Sequence, residues 1–317
     1  MSLATALAAA LIERVIGYPK WLLRAIGHPV MWIGALIGWA DTRFNTPDAP
    51  MRRWRGTVLV LALIAVTLAV TVPLTLALRV LPFGWLAEAV LATSMLAQKE
   101  LRRAVAAVAG ALGCGLPEAR AAVSHIVGRD TAPLDEAGVA RAAVETLAES
   151  SSDGVIAPLF WLALLGLPGA AVYKAINTAD SMIGHKDTRY AAFGWAAARL
   201  DDLLNLVPAR LTAMLVALAA LVLPGADAGA AIRIALRDAK KHESPNAGWP
   251  EAAVAGALGL KLGGPRSYGG ELVDLPAFGD GRADIGAEDI VRALALYDRV
   301  LVCAWGVVGV GVLIWWL

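Results

Sequence analysis

Residues Gly56 to Leu78 read GTVLVLALIAVTLAVTVPLTLAL, 23 residues without a charged side chain. At about 1.5 Å of rise per residue, a helix of that length crosses a hydrocarbon core roughly 30 Å thick. Arg52, Arg53 and Arg55 stand immediately before it, with Trp54 among them, the basic and aromatic flank expected on the cytoplasmic side. Pro73 lies inside the run, where neighbouring helices can satisfy the carbonyl it frees. A transmembrane helix is the first expectation. The whole chain agrees with it: its 317 residues are 58% hydrophobic and only 17% charged, with mean hydropathy +0.62, against about 25% charged in an ordinary soluble domain. The fold class expected is therefore all-α, a polytopic integral membrane protein.

Other apolar segments follow that run in the chain. Trp85 to Gln98 is shorter and contains Glu88, so it either returns through the membrane or packs as a buried helix; Lys99, Arg102 and Arg103 follow it. Gly154 to Tyr173 has 20 charge-free residues but carries Pro158, Gly166, Pro168 and Gly169. Leu211 to Ala226 is free of charge for 16 residues and Val300 to Leu317 for 18, ending in Trp315 and Trp316. Four or five transmembrane helices are expected, near 56–79, 83–98, 154–173, 206–226 and 299–317. They belong to a single membrane-embedded domain, 1–317, whose polar functional segments are 99–153, 174–205 and 233–298, mostly helical and cytoplasmic. With five simple spans, the polar stretch after Tyr173 would face away from the other basic segments. A broken, re-entrant Gly154–Tyr173 segment relieves this, because non-helical backbone is tolerated where it lines a protein cavity, but Leu211–Leu236 would then also have to turn back.

A net charge of +1 gives no reason to expect nucleic acid. Cys114 and Cys303 are far apart, and His28, His125, His185 and His242 are dispersed, so neither a disulfide framework nor a structural zinc site is expected. The N-terminal MSLATALAAALIERVIGYPK has no basic residue before its apolar part and reads as a first helix rather than a signal peptide. Leu260 to Gly286 is rich in Gly and Pro and reads as a long loop.

Four polar clusters carry possible chemistry. In ETLAESSSDG, Glu145 and Glu149 fall one helical turn apart and Asp153 follows at the mouth of the next apolar run. Three acids at a membrane surface suit Mg²⁺, which takes carboxylate oxygens together with substrate phosphates; the plainer reading is a solvated face with Glu145 tied to Arg141 at i−4. In HIVGRDT, Arg129 beside Asp130 either forks onto a phosphate or carboxylate or closes a surface turn. Tyr173 to Arg210 sets Lys174, Asn177 and Asp180 at i, i+3 and i+6, then His185, Arg189, and Arg199, Asp202 and Asn205 on one helical face. Charges of both signs at membrane depth are functional by default, and the alternative is a membrane-surface loop whose charges pair among themselves. In RDAKKHESPNAGWPE, Lys240, Lys241 and His242 precede a Ser244-Pro245-Asn246 turn, which serves either a site or contact with anionic lipid. GLKLGGPRSYGG matches neither a P-loop nor a Rossmann fingerprint.

Taken in order, the strings HPV with a following IG (His28–Gly34), VGRDT (Val127–Thr131), ETLAE with SDGVIAPLFW (Glu145–Trp161), YKAINTADSMIGH (Tyr173–His185), RY with FG (Arg189–Gly194), ARLDDLLNLVPARL (Ala198–Leu211) and HESPNAGWPEAAVAGALG (His242–Gly259) resemble the adenosylcobinamide-phosphate synthase family of cobalamin biosynthesis, integral membrane proteins of the bacterial inner membrane. The resemblance covers nearly the whole chain; one departure is Ser150, where the family pattern leads one to expect Asn. It implies an ATP- and Mg²⁺-dependent ligase that joins a carboxylate of the corrinoid adenosylcobyric acid to the amine of 1-amino-2-propanol phosphate. On that basis Glu145, Glu149, Asp153 and Asp180 are Mg²⁺ ligands or base candidates, joined by His185 as a catalytic candidate. Arg129, Lys174, His185, Arg189 and Lys241 form a phosphate and carboxylate clamp. Asn177, Arg199, Asp202, Asn205, His242 and Asn246 are further substrate-binding candidates. Membrane lipid and other late cobalamin-assembly enzymes are the expected partners. Two rival readings are a membrane accessory or sensor protein of the related β-lactamase-regulation type, and a transporter with a broken-helix midplane site, which requires paired half-sequences not found here.

Overall fold

The computed structural model describes residues 2–46 and 51–317. Its helices are α1 (Ser2–Ile16), α2 (Lys20–Ile26), α3 (Pro29–Phe44), α4 (Arg52–Arg79), α5 (Gly84–Ala92), α6 (Gln98–Leu112), α7 (Leu116–Ser124) and α8 (Glu136–Ser151). A π-helical turn at Ser152–Ile156 leads into α9 (Ala157–Ile183), α10 (Trp195–Leu204), α11 (Leu206–Ala220), α12 (Ala228–Asp238) and α13 (Gly248–Leu258). Four short strands, β1 (Leu262–Gly263), β2 (Arg266–Tyr268), β3 (Glu271–Val273) and β4 (Ala277–Phe278), precede the long α14 (Ala287–Trp316). Two antiparallel pairs, β1 with β4 and β2 with β3, therefore stand where the glycine content suggests only a loop. The chain is an all-α polytopic membrane protein.

Among the described residues, four helical segments are long and apolar enough to cross a membrane: 20–44, 52–79, 136–183 and 287–316. Helices α10 and α11, consecutive in sequence, would supply a fifth if they form one broken span. The number agrees with the four or five expected. Segment 83–98 holds only the nine-residue α5 and a 3₁₀ turn, too short for a straight helix to cross roughly 30 Å. Segment 20–44 is a further candidate; Arg24, His28, Asp41 and Arg43 hide it from a search for charge-free runs.

The chain divides into two compact units. The first comprises 1–97, 157–205 and 308–317. Here α9 packs against α1, α3, α4 and α10, and Ile37, Leu59, Leu63, Ile176, Ile183 and Phe193 form the core. The start of α4 lies so close to the Phe193 carbonyl that a Cβ on Gly56 would fall 1.7 Å from its oxygen, so this position excludes every side chain. The second unit comprises 98–156 and 206–307. Its centre is the α12–α13 hairpin, backed by α11 and α8. Ala252, Ala253, Ala255 and Ala257 are buried along α13, and such small residues let helix backbones approach closely. Gln98 at the start of α6 is tied to α14, accepting Tyr297 Oη on its carbonyl at 3.0 Å and Trp305 Nε1 on its side chain at 3.1 Å.

Helix α9 is broken at Gly166 (φ 70°, ψ −163°), as its glycines and prolines suggest. The Leu167 N–H loses its place in the helical ladder and donates to Glu88 Oε1 at 3.1 Å. Glu88 is buried, so α5 supplies the acceptor that starts the second half of α9. A Cβ at Gly166 would need a left-handed backbone and lie 3.1 Å from that oxygen. Gly166→Ala is expected to cost about 1–3 kcal/mol, and Glu88→Leu a similar amount by orphaning the Leu167 N–H. Thermal unfolding of the detergent-purified variants checks both, and unchanged midpoints would contradict this account of the break.

Candidate functional site

In the second unit the acids and arginines converge on α8. Asp135 caps that helix, its Oδ1 accepting from Gly138 N at 2.7 Å, which sets the register that carries Glu145 inward. Glu145 is 4% exposed. Its Oε2 takes Arg129 Nη2 at 2.8 Å and Arg266 Nη2 at 3.2 Å, and its Oε1 takes the Gly263 N–H at 2.6 Å. Arg129 comes from the turn before α8 and Arg266 from β2. The turn and the β2–β3 hairpin are joined by Asp130, whose N–H donates to Ser267 O at 2.9 Å. Asp130 Oδ2 accepts from Ser267 Oγ and Gly270 N at 2.7 and 2.8 Å. The Gly270 N–H and the Ser267 hydroxyl hold the Asp130 carboxyl below its ordinary pKa. Glu145 is therefore not tied to Arg141, which donates instead to Ala283 O.

The π-helical turn begins where α8 ends, and such turns recur at functional sites. By adding a residue to the turn it takes Asp153 out of the i, i+4 stripe shared by Glu145 and Glu149. Glu149 is exposed and Asp153 half-buried. Against the same cluster lies Glu251, in the first turn of α13 and fully buried. Burial first, then the nearby charges of Glu145 and Glu149, push its carboxyl well above the ordinary pKa. His242 Nε2 stands 3.7 Å from Glu251 Oε1, and His242 Nδ1 accepts from Ser244 N at 2.9 Å, which places the neutral ring's proton on Nε2. Burial, then Arg266, lowers the imidazole pKa, so His242 is neutral at pH 7.

The remaining polar residues of that region support the turn. Lys241 Nζ meets Asp238 Oδ1 at 2.6 Å, and Arg237 grips Asp238 and Asp280. Asn246 Oδ1 accepts from Arg210 Nη1 at 3.0 Å, and Ser244 Oγ receives the N–H groups of Asn246 and Ala247.

In the first unit, α9 and α10 share a ladder of side chains. Tyr173 Oη donates to Asn205 Oδ1 at 2.9 Å, Asn205 Nδ2 to Asp201 Oδ2 at 2.9 Å, and Asn177 Nδ2 to Asp201 Oδ1 at 3.3 Å. Lys174 lies within electrostatic reach of Asp201 and of His28. Asp180 folds against the C-terminus of α9, its carbonyl accepting from Gly184 N at 2.7 Å. His185 sits beside the Tyr190 ring, centroids 5.9 Å apart. Arg189 reaches the buried Asp41 of α3 at 2.6 Å.

Sequence spacing places Arg199, Asp202 and Asn205 on one face. The structure pairs Arg199 with Asp202 at 3.8 Å on the outside and turns Asn205 to Asp201, its i−4 neighbour. Asp201, Arg266 and Glu251 are the residues that spacing alone passes over. Asp201 is masked by its acidic twin Asp202, and Arg266 lies in a glycine-rich stretch that reads as loop. Glu251 opens an Ala-rich helix where an acid looks like an ordinary N-terminal residue.

A family model for the CobD/Cbib protein matches residues 6–297. The chain belongs to the CobD/Cbib family. It is 48% identical over 308 residues to the "Cobalamin biosynthesis protein CobD" of Rhodobacter capsulatus, covering 96% of this chain and 95% of the relative. It is 51% identical over 295 residues to the protein of the same name from a Sinorhizobium species, covering 91% of each. No solved structure matches. In this CobD/Cbib chain, no three of His, Cys, Asp and Glu come together as a group able to hold a metal ion among the described residues.

The Arg237 guanidinium, with Lys241 and the Gly279 N–H, holds Asp238 well below the ordinary carboxylate range. A depressed folded-state pKa stabilises above the unfolded pKa, and that contribution is lost as pH falls toward the folded value. Asp238→Asn is expected to cost on the order of 2 kcal/mol at neutral pH. The gap from the parent should narrow as pH drops below about 4, as read from thermal midpoints across pH. A gap that widens in acid would refute this.

Proposed function

We propose that the protein is an ATP- and Mg²⁺-dependent amide ligase of the bacterial inner membrane in cobalamin biosynthesis. It would join a carboxylate of adenosylcobyric acid to the amine of 1-amino-2-propanol phosphate, giving adenosylcobinamide phosphate. Family membership supports the pathway. The observation that carries the reaction class is the convergence of Arg129 and Arg266 on buried acids beside a π-helical turn bearing Asp153.

A carboxylate is a poor acyl donor because its oxygen is a poor leaving group, so ATP must first activate it. Phosphoryl transfer depends mainly on positioning and on cations that offset developing charge. Arg129 suits that work here, and Lys174, His185 and Arg189 suit it in the other unit. The amine must then lose a proton to attack, which calls for a base. Of the four acids considered for Mg²⁺, Glu145 instead meets two guanidiniums and a backbone N–H; Glu149 and Asp153, beside the π-helical turn, are the proposed carboxylates of the second unit, and Asp180 is the candidate of the first. This fits Mg²⁺, which is bound through one or two carboxylates plus substrate phosphates rather than by an all-protein cage. When bound, the ion would supply neutralising charge at the phosphates. Asn177, Asn205 and Asp201 hold the α9–α10 pair in register around Lys174. The apolar spans anchor the enzyme in membrane lipid, where other late assembly enzymes are its candidate partners.

Purified protein incubated with adenosylcobyric acid, 1-amino-2-propanol phosphate, ATP and Mg²⁺ is expected to yield the amide by mass spectrometry, with omission of any one abolishing it. Asp153→Asn should lower the rate about a hundredfold or more without altering the amount of protein inserted in membranes. Absence of product from folded protein that binds the corrinoid would sink the ligase reading in favour of an accessory role.

A further inference from the structure

Six buried side-chain polar atoms among the described residues have no hydrogen-bond partner, and four of them belong to one cluster: both oxygens of Glu251, Nε of Arg129 and Nε of Arg266. Native proteins leave few such groups, and each calls for an explanation. The four are of opposite kinds: two acceptors on one fully buried carboxylate, and one donor on each of two guanidiniums. Arg266 Nη2 is 3.7 Å from Glu251 Oε2, beyond hydrogen-bond distance, so the two do not satisfy one another. The groups facing Glu251 are Glu145 and Glu149 from α8, Arg129 from the preceding turn, Arg266 from β2, and the His242 ring.

This pattern discriminates among ligand classes. A bare anion would meet the Glu251 and Glu145 carboxylates. A bare cation would meet two guanidiniums. A small molecule with an ammonium at one end and an anionic group at the other satisfies both sets. Building on the ligase reading above, we propose that this cluster is the amine-substrate subsite, with Glu251 pairing with the ammonium and Arg129 and Arg266 receiving the phosphate of an amino-alcohol phosphate. Glu145 then positions the two guanidiniums, since both lean on its Oε2. The Arg129 and Arg266 side chains are 10% and 16% exposed, whereas Glu251 is fully buried.

The test is a binding cycle by calorimetry on the detergent-purified full chain, using two probes: 1-amino-2-propanol phosphate and 1,2-propanediol phosphate, which lacks the ammonium. The parent should bind the amine at least about tenfold more tightly, the size expected of one charge-assisted hydrogen bond. In Glu251→Gln that preference should vanish while affinity for the diol phosphate stays within about twofold, which also reports that the variant is folded. Arg266→Gln should weaken both phosphates by about tenfold or more, yet leave affinity for unphosphorylated 1-amino-2-propanol unchanged. The proposal is overturned if Glu251→Gln keeps the preference, if it loses both probes equally, or if the parent does not prefer the amine. These results separate it from the ligase reading. Selective binding without turnover would remove the reaction and keep the subsite, while turnover with the preference intact in Glu251→Gln would do the reverse.

Discussion

A carboxylate removed from water costs several kcal/mol unless charge and hydrogen bonds meet it, and Glu145 shows what meeting it requires. Two guanidiniums and a backbone N–H converge on its two oxygens, and hydrogen bonds to charged groups contribute about 1.5–3 kcal/mol each. The partners come from three places in the chain: the turn before α8, the strand β2 and the residue Gly263. One side chain thereby fixes where the VGRDT turn and the hairpin sit on α8. Asp130 then adds a second tie between turn and hairpin. The β2–β3 hairpin is thus held by ionic contacts, with β3 exposed along its whole length, while Leu260, Leu262, Phe278 and Ile285 anchor the rest of segment 260–286 by burial.

The first unit meets a related problem where α9 packs on α10. Helices α9 and α10 meet through a ladder in which the Asn205 amide and the Asp201 carboxylate each use two hydrogen-bonding positions and the Tyr173 phenol donates at one end. Buried polar networks are stabilising only when their members are satisfied. Here Asn205 donates and accepts at once, which only an amide can do with this geometry. The two units show opposite solutions: a satisfied ladder that specifies helix packing, and a cluster that retains unpaired acceptors and donors.

Much of this was legible beforehand. The charge-free runs disclosed the membrane, and the glycines and prolines of 154–173 located the break in α9. The motif strings named the stretches where polar side chains gather. What spacing could not reveal was partnership across the chain. Arg141 stands at the right distance from Glu145 for a helical pair, yet Arg129 and Arg266 displace it, because buried long-range contacts outweigh an exposed i,i+4 pair worth a few tenths of a kcal/mol. Asp201 and Asp202 are indistinguishable as letters; only the packing of α10 on α9 turns one inward. The span at 20–44 was obscured because its charged residues find partners: Asp41 binds Arg189, Asn45 and Tyr190.

The arginines at the head of α4 are the clearest orientation signal in the sequence, yet they are also working parts of the fold. Arg52 donates to Asn45 and to the Arg189 carbonyl, and Arg53 lies 3.6 Å above the Trp195 ring. A charge that tells the insertion machinery which way a helix points is here the same charge that later docks the loop after α9. Orientation and folding are consequently not separate layers of information in this chain. Evolution cannot redistribute its positive charges to retune topology without also loosening the polar segment they hold, so the direction of insertion is inherited along with the loop.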